Sequence, residues 1–96
     1  MMLRVPQIEK VVPLSGYRVH LAFDDGNEGE VDLKNLIKFQ GVFEVLKDEV
    51  EFCRVFVDAD GGTIAWPNGA DIDPIVLYSA LTGKSIEELL GVNVTR

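Results

Sequence analysis

Few side chains in this 96-residue sequence have a type and spacing that could do chemistry. It contains one histidine, His20, and one cysteine, Cys53. A nucleophilic thiol needs a neighbouring base or cation to form thiolate. Cys53 instead lies among Phe52, Val55 and Val57, a setting that predicts a buried, inert thiol. Asp58-Ala59-Asp60-Gly61 opens like a calcium loop. Such a loop needs further oxygen ligands and a later bidentate glutamate, whereas Gly62 and Thr63 lead straight into a strand pattern. A hairpin turn is the simpler reading. Asp71 and Asp73 could pair as acid and base or hold a metal, yet no histidine, cysteine or third acid stands beside them. Helix capping explains both. No serine occupies a nucleophile elbow, and no glycine-rich loop precedes a helix. The residues therefore predict no catalytic group, no metal and no cofactor.

Charge narrows the partners. Asp and Glu number 16 against 9 Lys and Arg, a formal net charge of −7. Phosphate backbones need a basic face, so direct nucleic-acid binding is not expected, and an anionic membrane surface is equally disfavoured. No apolar run reaches the ~18 residues of a membrane span. The Met1-Met2-Leu3-Arg4 start lacks a signal peptide's apolar segment, which makes the cytoplasm the expected location. A single cysteine permits no internal disulfide. A hydrophobic content of 47% suffices for one core, and the whole chain reads as one compact domain.

The elements that would position these residues can be taken in order. Residues 7–14 read as a strand with a bulge near Lys10-Val11, where the apolar alternation breaks. Ser15-Gly16 marks a turn. Tyr17, Val19, Leu21 and Phe23 then alternate with polar or small residues in the clearest strand of the chain. A two-residue loop at Asp25-Gly26 would set Leu21 opposite Glu30 and drive acids into the core. A three-residue loop, Asp25-Gly26-Asn27, pairs Phe23 with Gly29, Leu21 with Val31 and Val19 with Leu33, with Asn27 left-handed. Glu28, Glu30 and Asp32 then line the opposite face beside Arg18 and His20.

Short helical segments are expected over residues 33–39, 41–46 and 48–52, with Leu36 and Ile37 facing inward. Cys53, Val55 and Val57 predict a fourth strand. A four-residue loop, 59–62, would pair Val57 with Ile64 and Val55 with Trp66. Phe56 and Ala65 would share the other face, whose apolar character predicts a homodimer. A helix should run from Pro74 to Thr82, buried through Val76, Leu77, Ala80 and Leu81 and closed by Gly83. Ser85 and Glu88 form a capping-box pattern for a second short helix over 85–90 that carries Ile86, Leu89 and Leu90. The pair does not make a DNA-reading helix-turn-helix, since Glu87 and Glu88 would face phosphates.

The centre of the pattern is Trp66-Pro67-Asn68-Gly69-Ala70-Asp71, followed by Asp73-Pro74. Pro67 ends a strand, Asn68-Gly69 makes a turn, and Asp73 caps a helix whose first residue is Pro74. This run resembles the signature of a bacterial family known as domain of unknown function 2442 (DUF2442). Val11-Val12-Pro13-Leu14, residues 17–26, Gly41-Val42-Phe43 and residues 54–58 extend the resemblance over about 8–82. It implies a compact α+β domain, often encoded beside a small toxin-like protein; longer relatives append a helix-turn-helix domain that looks absent here.

The expected architecture is α+β: a four- to five-stranded, mostly antiparallel sheet with one helix packed on a face. The expected function is a non-catalytic protein-interaction module that meets a basic partner surface. Resemblance adds an antitoxin-like or accessory role toward a neighbouring gene product. The binding residues expected are Trp66, Pro67, Asn68, Gly69, Asp71, Glu28 and Glu30, with Asp73 and Pro74 as a structural cap. For Trp66 itself a core position opposite Val55 is the preferred reading and a partner-binding surface the alternative. The rival class is an enzyme or small-ligand domain using residues 66–73. A pocket converging on Asp71, His20 and Trp66 would favour it, whereas a flat acidic face or an open strand edge would favour binding.

Overall fold

The structure is a computed structural model that describes residues 6–85. The predicted helix over 85–90 therefore lies outside the described residues. Strands β1 (Ile8–Leu14), β2 (Arg18–Phe23) and β3 (Glu28–Asp32) form an antiparallel sheet in the order β1-β2-β3. Three short helical segments follow: α1 (Leu33–Leu36), a 3-10 helix (Gly41–Lys47) and α2 (Glu49–Phe52). A second hairpin, β4 (Phe56–Asp58) and β5 (Thr63–Ala65), precedes helix α3 (Pro74–Thr82).

The α+β class is as expected, but the strands form two sheets rather than one of four or five. Chemistry along β1 accounts for the break. Register shifts between Ile8 and Lys10, a bulge just upstream of the expected position, and Pro13 has no N–H to donate. A continuous ladder cannot run along such an edge. The second hairpin meets β1 instead through a backbone bond from Ile8 N–H to the Gly62 carbonyl at 3.0 Å.

The β2–β3 loop has the predicted length and a different position. Val19 faces Val31, His20 faces Glu30 and Leu21 faces Gly29. The expected Leu21–Val31 and Phe23–Gly29 pairs are thus replaced, and Phe23 N–H donates to the Asn27 carbonyl at 2.8 Å. The loop is Asp24-Asp25-Gly26, with Gly26 rather than Asn27 left-handed, at φ 93°. Glycine takes that conformation without a Cβ clash. Because the slip is two residues, an even number, every side chain keeps its predicted face. Val19, Leu21, Phe23 and Val31 are buried, while Glu28, Glu30 and Asp32 are exposed.

In the second hairpin, Val57 faces Ile64 as predicted. The ladder ends at Phe56–Ala65, however, so Val55 and Trp66 make no ladder pair, though both are buried. Cys53 and Arg54 lie outside the strand. Phe52 and Val55 are the buried pair, three apart as in a helical turn, and this leaves Cys53 exposed rather than buried. Ala65 is also buried, at 7% exposure, so the apolar outer face expected for self-association is reduced to Phe56.

Helix α3 has the predicted bounds. Asp73 Oδ1 accepts from Ile75 N–H at 3.0 Å, Pro74 fills the first turn, and Gly83 closes the end at φ 79°. Its buried stripe is Ile75, Leu77 and Tyr78 rather than Val76, Leu77, Ala80 and Leu81, and Ala80 is exposed. The rotation brings the Tyr78 ring edge-on to Phe23 at a centroid distance of 5.0 Å. One cluster, including Leu21, Leu33, Leu46, Phe52, Ile64, Trp66 and Leu77, joins every layer.

Candidate functional site

The predicted site residues fall into two groups. Trp66 is 1% exposed. Its indole N–H donates to the Phe52 carbonyl at 2.9 Å, and its ring packs against Phe43 and Phe52 at centroid distances of 6.3 and 5.9 Å. It is a core residue whose one polar atom is satisfied, as a buried tryptophan requires. The next residues close a tight loop. Trp66 N–H donates to the Ala70 carbonyl and Gly69 N–H to the Trp66 carbonyl, both at 2.9 Å. Gly69 sits at φ 94°, which asks for glycine.

Asn68 works on both sides of this loop. Its Oδ1 accepts from Ala70 N–H at 3.1 Å, and its Nδ2 donates to the Val42 carbonyl at 2.7 Å. Thr63 Oγ1 donates to the Ile72 carbonyl. The side chains of Trp66 and Asn68 thus staple the helical stretch 41–52 to this loop, and Thr63 ties the approach to α3 to the second hairpin. Pro67, Gly69 and Asp71 remain exposed, and Asp71 makes an isolated antiparallel bridge with Ala65.

The second group lies on the outer face of the three-stranded sheet. Directly opposed residues share a face, so the register sets three rows there: Lys10, Ala22 and Glu28; Val12, His20 and Glu30; Leu14, Arg18 and Asp32. Along this face β1 is largely apolar, β2 carries Arg18 and His20, and β3 is wholly acidic. Arg18 pairs with Glu30 and His20 with Glu28, each at 2.9 Å. Both pairs are solvent-exposed and contribute little to stability. They leave the face with a net acidic strand.

Among the described residues, no hydrogen bond or ion pair links the turn to the acidic row. Nor do the described residues form a pocket, so Asp71, His20 and Trp66 are not gathered into one. No group of three metal-ligating side chains occurs among them, and no described helix is long and apolar enough to cross a membrane.

One cluster was not legible from the sequence. Tyr78 Oη donates to Asp25 Oδ2 at 2.5 Å and accepts from Asn27 Nδ2 at 3.0 Å. Burial acts to raise the Asp25 pKa, but the hydrogen bonds from Tyr78 and Asn27 outweigh it and hold the carboxyl below its ordinary value. The Asp25 hydrogen bond, with burial and the carboxylate's charge, pushes the Tyr78 hydroxyl up. The sequence marks Asp25 only as a turn residue and gives Tyr78 no signal. Their sequence separation leaves no local pattern to find.

No curated protein and no solved structure matches the chain significantly. The family model described as "Protein of unknown function (DUF2442)" matches residues 8–83, and the chain belongs to that family.

Proposed function

We propose that this chain is a non-catalytic protein-interaction module whose docking face is the outer side of the three-stranded sheet, led by Glu28, Glu30 and Asp32. The observation that carries the reading is the acidic outer row of β3, Glu28, Glu30 and Asp32, exposed at one margin of the sheet. Glu30 and Glu28 there meet Arg18 and His20, while the Asp32 carboxylate caps α1, accepting from Lys34 N–H and Asn35 Nδ2, and adds a third negative charge. A partner with a basic surface complements that imbalance, in keeping with the −7 charge of the whole chain. Complementary charge chiefly speeds encounter and rejects wrong partners. The antitoxin-like or accessory role implied by the family resemblance is the specific form proposed, with the partner a small neighbouring gene product. Like the chain's charge, this reading includes no direct duplex binding.

The test is capture of the partner from the native host by the wild-type chain and by Glu28→Lys/Glu30→Lys, over a series of salt concentrations. Capture by the wild type should weaken as salt rises, and the double reversal should abolish most of it while the chain still unfolds cooperatively, at a midpoint lowered only by the exchange of two exposed ion pairs for like-charge neighbours. A partner retained equally by both proteins at all salt concentrations would overturn the proposal.

A further inference from the structure

An antiparallel ladder alternates bonded and non-bonded pairs, so two known bonds fix the direction of every other backbone group. Phe23 N–H donates to the Asn27 carbonyl at 2.8 Å, and Leu33 N–H donates to the Tyr17 carbonyl at 3.0 Å. Both lie on the same register line as Leu21–Gly29 and Val19–Val31. Gly29 and Val31 therefore bond to β2, and the N–H and C=O groups of Glu28 and Glu30 point away from it. β3 ends its sheet, and no described strand lies on that side. Helix α3 packs on the inner face, where Leu81 lies against Gly29.

The other edge differs. On β1, Pro13 offers no donor, the bulge after Ile8 breaks the spacing, and the Ile8 N–H is already bonded to Gly62. Those are the usual means by which an edge is closed to pairing. Among the described residues the β3 edge carries no such block, only acids. Antiparallel pairing of two β3 edges about Glu30 would set Glu30 against Glu30 and Glu28 against Asp32. Like charges directly opposed destabilise a strand pair, so the row turns a second copy away and admits the opposite charge.

We infer that the open edge of β3 takes up an extended, basic segment of the partner protein as an added strand, with alternate Lys or Arg residues over Glu28, Glu30 and Asp32. This rests on the docking face proposed above and specifies how it binds. Backbone bonds from Glu28 and Glu30 supply the attachment, and the carboxylates supply the choice of sequence.

Amide hydrogen exchange followed by NMR on the full chain tests it, with a synthetic peptide of alternating Lys and Thr as probe. In the free protein, Gly29 and Val31 amides should be protected and the Glu30 amide should exchange readily. Peptide should slow Glu30 exchange by roughly tenfold or more, since exchange reports backbone bonding. Two variants separate backbone from charge. Glu30→Gln and Glu30→Pro both remove the carboxylate, but only proline removes the outward N–H, which β2 does not use. Peptide affinity should fall further in Glu30→Pro than in Glu30→Gln. Equal affinities, unchanged Glu30 exchange, or no binding at low salt would each overturn strand addition. A salt-sensitive partner interaction surviving those results would leave the acidic docking face standing.

Discussion

Tyr78 and Asp25 tie the last helix to the β2–β3 turn through their 2.5 Å bond, with Asn27 joining both. Removing the hydroxyl with Tyr78→Phe should cost about 1 kcal/mol, the usual net value of such a bond. The cost should also depend on pH. The folded pKa of Asp25 lies below its ordinary 3.8, so its contribution is present above that value and is lost as pH falls through the folded pKa. The folded pKa of Tyr78 lies above its ordinary 10.0, so its contribution is complete below that value and is lost as pH rises through the folded pKa. The stability difference between wild type and Tyr78→Phe should be level across neutral pH and shrink at both extremes. Denaturant unfolding, read through the single buried tryptophan, measures it. A difference that stays unchanged as pH is taken well below 3.8 would contradict the linkage. By the same measurement Asp73→Ala should cost about 1 kcal/mol for the lost helix cap. An unchanged midpoint would mean that Asp73 does not hold the helix start. The cap was legible because Asp73-Pro74 is a local pattern, whereas the Tyr78–Asp25 bond joins distant segments and had no sequence signal.

Elements were legible where the pattern was long or punctuated. β2 alternates cleanly, and α3 is bracketed by Asp73-Pro74 and Gly83. The stretch after Phe52 misled because Cys53, Val55 and Val57 alternate by chance over a helical turn, and burial follows Phe52 and Val55 instead. The β2–β3 register shows how far binary patterning reaches. It distinguishes odd from even slips and so set the faces, but it cannot choose between two registers that differ by two residues. Turn chemistry made that choice through Gly26. Gly26→Ala should therefore cost about 1 kcal/mol, the penalty for a side chain in the left-handed region, since the added Cβ meets nothing within 4 Å. Denaturant midpoints check this, and a harmless Gly26→Ala would mean that the left-handed residue lies elsewhere. The stretch from Thr63 to Asp73 is also an element-scale device. Trp66, Asn68, Thr63 and Asp73 spend their polar atoms on Phe52, Val42, Ile72 and Ile75. These bonds give the run a folding role, with Pro67, Gly69 and Asp71 left exposed.

At the scale of the whole molecule, the strands divide into two sheets because β1 cannot carry a ladder on both sides, and the same asymmetry leaves β3 as the acidic margin. The net charge announced an acidic surface before any fold was known; which acids would stand together depended on face parity, which the alternation supplied. The central claim is that this margin selects a basic partner. Its most direct measurement is the association rate with the captured host partner, as a function of ionic strength, for the wild type and for Glu28→Lys/Glu30→Lys. Screening shortens the reach of exposed charges to about 10 Å at 0.1 M salt. The wild-type rate should therefore fall steadily as salt rises, and the double reversal should be slow at every salt concentration although the chain remains folded. Equal rates for the two proteins, insensitive to salt, would contradict the account.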